Sequence, residues 1–367
     1  MKTNYLINSL LFLLLIFGNN LDAQINLPRA SQQASVSQRI GISDVSITYA
    51  RPSVNGREIW GKLVPFGMND LGFGTSKAAP WRAGANENTI ISFTHDAKLE
   101  GKEIKAGTYG LHIEVVDENN ANIILSYDTD SWGSYFYDEA KDALKVGVKM
   151  NDVPHKELLT YEVNTVDANS AIVSLVWEKK EIPFKVAFDV SNLVLSDFRS
   201  KSKGNLGFMR QNWEQAANYA LNNNGDLNEA LGWIDGAIAG NFYSQKTFNN
   251  LQIKAQILEK LGKADEASNL MDEALSLATI FQVHQYGRTL IAKGEKDKAM
   301  EVFKMNAKNN KGQWPVHYGL ARALSAKGDY KTALKHLKIA LGNAPNDASR
   351  GRVQANIEKL EKGIDIN

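Results

Sequence analysis

The sequence predicts two domains of different class: an antiparallel β-sandwich over about residues 24–200, then an all-α array of helical repeats over 201–367. Three observations carry this. Hydrophobic residues recur at every second position up to about Asp197. From about Asn205 the apolar spacing becomes helical. In that second half, glycines and small residues return at a near-constant interval. Periods of 2 and 3.6 are the signatures of a half-buried strand and an amphipathic helix.

Ahead of both domains, Lys2 gives a positive start, Leu10 to Phe17 is an apolar run, and Leu21-Asp22-Ala23-Gln24 offers a cut after Ala23. The run is too short to span a bilayer. Residues 1–23 therefore read as a cleaved export signal. The chain has no cysteine, which excludes disulfides, a lipidated cysteine anchor and thiol catalysis. No later stretch is apolar for long enough to cross a membrane, so a soluble periplasmic or secreted product is expected. The net charge is +1, and no global charge points to nucleic acid.

In the first domain, Val45, Ile47 and Tyr49 alternate with Ser46 and Thr48. The same alternation places Val146, Val148 and Met150 on one face, then Leu159, Tyr161 and Val163, then Phe184, Val186, Phe188 and Val190. Further strands are predicted at Thr89–Phe93, Thr108–Val116, Asn122–Tyr127 and Ala171–Trp177. Turn clusters separate them, as at Glu100-Gly101-Lys102 and Asp117-Glu118-Asn119-Asn120. Short strands at this interval suggest a sandwich, with a closed barrel as the alternative. Tyr137 to Leu144 reads as one or two helical turns.

Between the strand that ends near Tyr49 and the one that starts at Thr89 lies an irregular stretch. Arg51-Pro52 disfavours helix, and Asn55-Gly56 is a turn pair. Met68 to Lys77 holds two glycines and no periodicity, and reads as a surface loop. The candidate binding residues are here: Arg51, Arg57, Trp60, Trp81, Arg82, Asn86 and Glu87. Guanidinium groups suit carboxylates and phosphates. Asn86 and Glu87 suit hydroxyls, and Trp60, Trp81, Tyr109 and Trp132 offer flat faces for a sugar or ring. The competing reading is a brace, with Arg51 or Arg82 paired to Glu87 or Asp44 over a small tryptophan core.

Catalytic patterns are sparse. The six histidines, His95, His112, His155, His284, His317 and His336, form no metal-ligand spacing, and no metal or cofactor is expected. There is no nucleophile elbow, and Gly72 to Lys77 lacks the order of a phosphate loop. Glycoside hydrolysis needs two carboxylates at a defined separation, and Glu87 has no obvious second partner in its motif.

The segments Ser35-Val36-Ser37-Gln38-Arg39-Ile40-Gly41, Tyr49 to Arg57 (YARPSVNGR), Leu63-Val64-Pro65-Phe66-Gly67, Trp81 to Asn88 (WRAGANEN) and Gly107-Thr108-Tyr109-Gly110 resemble a family of exported bacterial proteins. That family is the domain of unknown function numbered 2911, and the resemblance spans roughly Gln24 to Val190. It implies the domain and its export, and no activity.

In the second half, Trp314 to Ala321 opens a helix and Gly328-Asp329-Tyr330 turns the chain. Ala333, Leu337 and Ala340 line a second helix, and Pro345 closes the unit. Earlier units show Tyr286-Gly287, Gly294, Ala299 and Phe303; then Ala255, Leu258, Gly262, Ala267, Met271 and Ala274; then Ala217, Leu221, Gly225, Ala230, Ile234 and Ala237. The turn glycines Gly225, Gly262, Gly294 and Gly328 recur at close to the 34-residue tetratricopeptide period. The segment resembles four degenerate tetratricopeptide repeats over about Gln211–Asp347, capped by a polar last helix. Such arrays imply a protein or peptide partner. The functional expectation is an exported binding or scaffold protein: the β-domain holds a small polar ligand or a partner, and the repeats grip a protein. The alternative is a hydrolase acting on a polar envelope or extracellular substrate, with Glu87 as acid or base and Arg51 or Arg82 holding an anionic group.

Overall fold

Where apolar and polar residues alternate, the computed structural model, which describes residues 27–367, forms strands. The export-signal reading of residues 1–23 lies outside the described residues. The chain divides into two units that meet between Val190 and Ser191.

The first unit is an antiparallel sandwich. One sheet runs β1 (Gln32–Ile40), β2 (Ser43–Arg51), β3 (Thr89–Phe93), β6 (Gly107–Val115), β7 (Asn120–Ser126) and β8 (Asp142–Lys149). The other runs β5 (Lys102–Ile104), β4 (Ala97–Leu99), β10 (Ser170–Phe188) and β9 (Asn151–Asp167). In β2, Val45, Ile47 and Tyr49 are buried while Asp44, Ser46 and Thr48 are only partly so, as the period of two requires. Ile91, Leu111, Ile113, Ile123 and Leu125 of the first sheet are buried, as are Leu159, Tyr161, Val173, Leu175 and Phe184 of the second.

Two local expectations change, and one narrows to its shorter form. Ala171–Trp177 and Phe184–Phe188 belong to one strand, β10, whose register against β9 shifts around Glu178. Glu178 has a φ of 52°, and the bulge there interrupts the alternation that would have joined the two runs. Residues 137–144 hold only a short 3-10 turn, Glu139–Lys141, before β8 begins. Val190 is the first residue of helix α1 (Val190–Lys201), not the last of a strand. Its spacing serves both periods, and Leu195 carries the helix into the core formed with Ala217, Ala220 and Leu221.

Tyrosines join the two sheets. Tyr49 and Tyr161 meet edge to face, 4.7 Å between centroids. The Tyr161 backbone N–H donates to the Tyr49 hydroxyl at 3.0 Å, and the Tyr161 hydroxyl donates to the Ala83 carbonyl at 3.0 Å. Ala83 is buried with a φ of 52°, and its carbonyl also accepts from the Thr89 hydroxyl at 3.2 Å. Tyr161→Phe should therefore cost only about 1 kcal/mol, since one donor remains. Urea unfolding of the full chain checks this, and an unchanged midpoint would show that the bond does not hold the loop.

The second unit stacks helix pairs: α2 (Arg210–Asn222) with α3 (Leu227–Ile238), α4 (Phe248–Lys260) with α5 (Ala264–Ser276), α6 (Ile280–Ala292) with α7 (Lys296–Asn309), and α8 (Trp314–Ala326) with α9 (Tyr330–Gly342), followed by α10 (Asp347–Glu361). Thr247 and Thr279 each close a capping box, and Asp226, Asp329 and Asn346 cap three other helices. Ala217, Ala230, Ala274, Ala299, Ala321, Ala333 and Ala340 are fully buried, so paired helices approach closely. Gly262, Gly294 and Gly328 take positive φ at the turns. In the first pair Asn224 takes that conformation instead (φ 56°). Gly225 is held by space: a Cβ there would lie 2.7 Å from that of Ala220. Among the described residues no helix is long and apolar enough to cross a membrane.

Candidate functional site

The connection between β2 and β3 folds back over one end of the sandwich. Asn55 and Gly56, both with positive φ, make its first turn. That turn is tied to β9: Glu157 accepts from the Ser53 hydroxyl and, at 2.8 Å, from the Asn55 N–H. These bonds hold the Glu157 carboxyl well below the usual carboxylate range. Further on, Asn69 pairs with Ala79, and Trp81 pairs with Ile113 of β6 through N–H···O bonds of 2.9 and 2.8 Å. The predicted surface loop at 68–77 is thus anchored at its base.

Behind this connection lies a cavity of about 330 Å³. Arg57, Trp81, Arg82 and Asn86 line it, together with Trp177 from β10 and Ser134. Trp81 stacks on Trp177 with 5.9 Å between centroids and 16° between planes. Trp60 stands edge-on to both, one layer behind, and its indole N–H is buried without a partner.

The guanidinium of Arg82 donates to the Asn86 carbonyl at 2.7 Å and lies over the Tyr135 ring, 5.0 Å from its centroid. Arg57 donates to the carbonyls of Val54, at 3.1 Å, and Ser53. The Asn86 side chain donates to the Ser31 carbonyl at 3.0 Å.

Arg51 and Glu87 are not among the residues lining this cavity. Arg51 turns to β9, donating to the Leu159 carbonyl at 2.9 Å and the Thr160 hydroxyl at 2.7 Å. Glu87 is 48% exposed and pairs with Arg29. The Arg29 guanidinium holds its carboxyl below the usual range. The expected pairing of Arg51 or Arg82 with Glu87 or Asp44 is corrected: Arg29 takes Glu87, and Arg39 takes Asp44 at 2.8 Å. An acid or base needs a carboxyl whose proton affinity is raised toward neutrality. Exposure and an arginine partner move Glu87 the other way. Of the remaining aromatics, Tyr109 is buried and donates to the Lys105 carbonyl, and Trp132 lies under Arg29.

Sequence reasoning assigned no role to Trp177, Ser134 or His112. Ser134 is buried at the cavity wall, with its hydroxyl 3.0 Å from Nδ1 of His112. His112 is 2% exposed. Burial, with the nearby Arg82 charge, pushes its pKa down to about 4, so the imidazole is neutral at pH 7. Among the described residues no cluster of three or more His, Asp or Glu could hold a metal ion.

Residues 31–186 match the family model described as "Protein of unknown function (DUF2911)", and residues 249–279 match a tetratricopeptide repeat model. No curated protein matches the chain. Similar solved structures include the following three. The C-terminal part of a TPR repeat-containing protein from Cytophaga hutchinsonii shares 15% identity over 47% of this chain and 67% of that one, with a TM-score of 0.34. YrrB, described as a TPR protein with an unusual peptide-binding site, shares 16% over 46% and 89%, with a TM-score of 0.28. MamA shares 16% over 43% and 91%, with a TM-score of 0.30.

Proposed function

We propose, from a chain that carries a DUF2911 domain followed by tetratricopeptide repeats, that this protein is an exported binding scaffold, its repeats gripping a protein or peptide and its β-domain holding a small ligand. The observation that carries the reading is the stack of helix pairs. Repeats of this kind are a protein–protein interaction scaffold, and each pair presents its first helix beside the next. A groove between α4, α5 and α6 supports it: Gln252, Gln256, Met271, Tyr286, Thr289 and Lys293 surround a space of about 170 Å³. Amide and hydroxyl groups beside a tyrosine, with the Lys293–Glu259 and Lys298–Glu295 pairs at the rim, suit an extended backbone. Export is supported by the apolar run Leu10 to Phe17 and the cut offered after Ala23. Glu87, exposed and ion-paired, gives the hydrolase reading no support.

The test is affinity capture from an envelope extract with the full chain and with a Gln256→Arg/Thr289→Arg variant that fills the groove. A protein retained by the first and lost from the second is the expected result. Equal retention by both would move the partner off this groove, and no retained protein at all would remove the scaffold reading. N-terminal sequencing of the secreted or periplasmic product should begin at Gln24.

A further inference from the structure

We propose that the cavity of the β-domain takes a small organic anion: a carboxylate with a flat apolar body, its head on Arg82 and Arg57 and its body against Trp81 and Trp177. The proposal rests on the reading that this cavity is a ligand site, and adds the chemical class.

Charge is the first argument. The lining contains two arginines and no aspartate or glutamate. Elsewhere in the same domain Arg29 pairs with Glu87 and Arg39 with Asp44, while Arg51 lies off the cavity and donates to the Leu159 carbonyl and the Thr160 hydroxyl. Among the described residues Arg57 and Arg82 have no carboxylate partner. Their donated bonds go to backbone carbonyls, those of Val54 and Ser53 for Arg57 and that of Asn86 for Arg82. A carbonyl satisfies one N–H and leaves the positive charge uncompensated. A guanidinium has five donors, enough to keep a planar fork for a carboxylate.

Preorganisation is the second. Arg82 is held against both the Tyr135 ring and the Gly133 backbone. A Cβ at Gly133 would come within 2.4 Å of the guanidinium carbon, so the glycine makes the space in which the head group lies. A cation fixed before the ligand arrives loses little side-chain freedom on binding.

Shape and polarity select the body. About 330 Å³ lies at the lower end of small-molecule sites. The walls include the Trp81–Trp177 stack, Pro52, Pro80 and Leu63. A neutral sugar would leave the two guanidinium charges uncompensated. A cation would face two unpaired positive charges. An anion with an apolar body meets both features.

The experiment titrates the full chain with phenylacetate and with its neutral isostere phenylacetamide, following the tryptophan indole resonances. Phenylacetate should bind at least tenfold more tightly than the amide, and raised sodium chloride should shrink the difference. Arg82→Gln should abolish it. Because Arg82 also latches the Asn86 carbonyl, Arg57→Gln is the second variant; it should weaken the acid several-fold and leave the amide unchanged. If the amide binds as tightly as the acid, the cavity is a ligand site and the anionic class is wrong. If neither perturbs the indoles, the ligand-site reading falls as well.

Discussion

Phe303→Ala is expected to lower the stability of the repeat domain by about 3–5 kcal/mol, the range for truncating a fully buried aromatic residue. Phe303 is on α7 and has no exposed surface. Its ring occupies the place where Gly287 of α6 and Gly319 of α8 present bare backbone. A Cβ on either glycine would lie 2.4 Å from a ring carbon, well inside contact distance. Ring and glycines are therefore one device: two helices come close because neither has a side chain there, and the third helix fills the space. Glycine backbone cannot move in to close the hole left by alanine, so the cavity cost stays near its maximum. Gly319→Ala tests the same contact from the other side, with overpacking costing about 1–3 kcal/mol. Thermal unfolding followed by far-ultraviolet dichroism at the helical minimum reads both. A loss below about 1 kcal/mol for Phe303→Ala would show that the helices slide together without the ring.

That device was legible in part, and the reason is chain distance. Phe303 and Gly287 appear in the sequence as members of one repeat, since small and large residues recur at its period. That Gly319, a unit later, shares the same ring is a tertiary fact. The sandwich shows the same division. Val45, Ile47 and Tyr49 announce β2 because one face is apolar. β1 beside it reads QQASVSQRI, where Ala34, Val36 and Ile40 alternate with polar residues but only Ile40 is buried, so a polar edge strand leaves a weak alternation. At the site, Arg57, Trp81, Arg82 and Asn86 were selected because arginine, tryptophan and turn residues crowd together, and they do line one cavity. Trp177, the other half of the stacked wall, comes from β10, far along the chain, and reads locally as an ordinary strand residue. Which carboxylate meets which arginine was not legible either. Glu87 meets Arg29 across 58 positions, and no local rule selects that pair. Periodicity reports which face of an element is buried, whereas partner choice depends on how distant elements are superposed.

Acidification from pH 6.5 to 5 is expected to destabilise the β-domain by about 2 kcal/mol, through His112, at about 1.4 kcal/mol for each pH unit. Its pKa is pushed down to about 4, first by burial and then by the charge of Arg82; Asp128 opposes the shift. The ring also meets the Ser134 hydroxyl and the edge of Tyr137. The sign follows from proton uptake. Below about pH 6.5 the unfolded chain binds a proton that the folded chain refuses until about pH 4, so stability present above 6.5 declines across that interval. The carboxylates that titrate low in the folded state, Glu157 and Asp44 among them, lose their contribution only below the ordinary carboxylate range. Asp142, whose carboxyl pKa is raised by burial, works in the opposite direction, so it is the comparison with a His112 variant that isolates the histidine. His284 gives the repeat domain the same sign: burial, with Arg322 and Arg288 nearby, takes it to about 4 against the opposing bond to the Pro315 carbonyl. His317 and His336, both lowered by burial, act in the same direction. Urea unfolding followed by tryptophan fluorescence at pH 7, 6 and 5 measures the slope. His112→Gln, which keeps a polar group against Ser134 but cannot take up the proton, should flatten it for the β-domain even if the variant is less stable throughout. The same slope in wild type and variant would mean that His112 is not the group that titrates. The flattening also bears on the cavity, because a neutral His112 behind Ser134 leaves Arg82 and Arg57 as the charges there, and an anion bound to them should hold its affinity from pH 7 to 5.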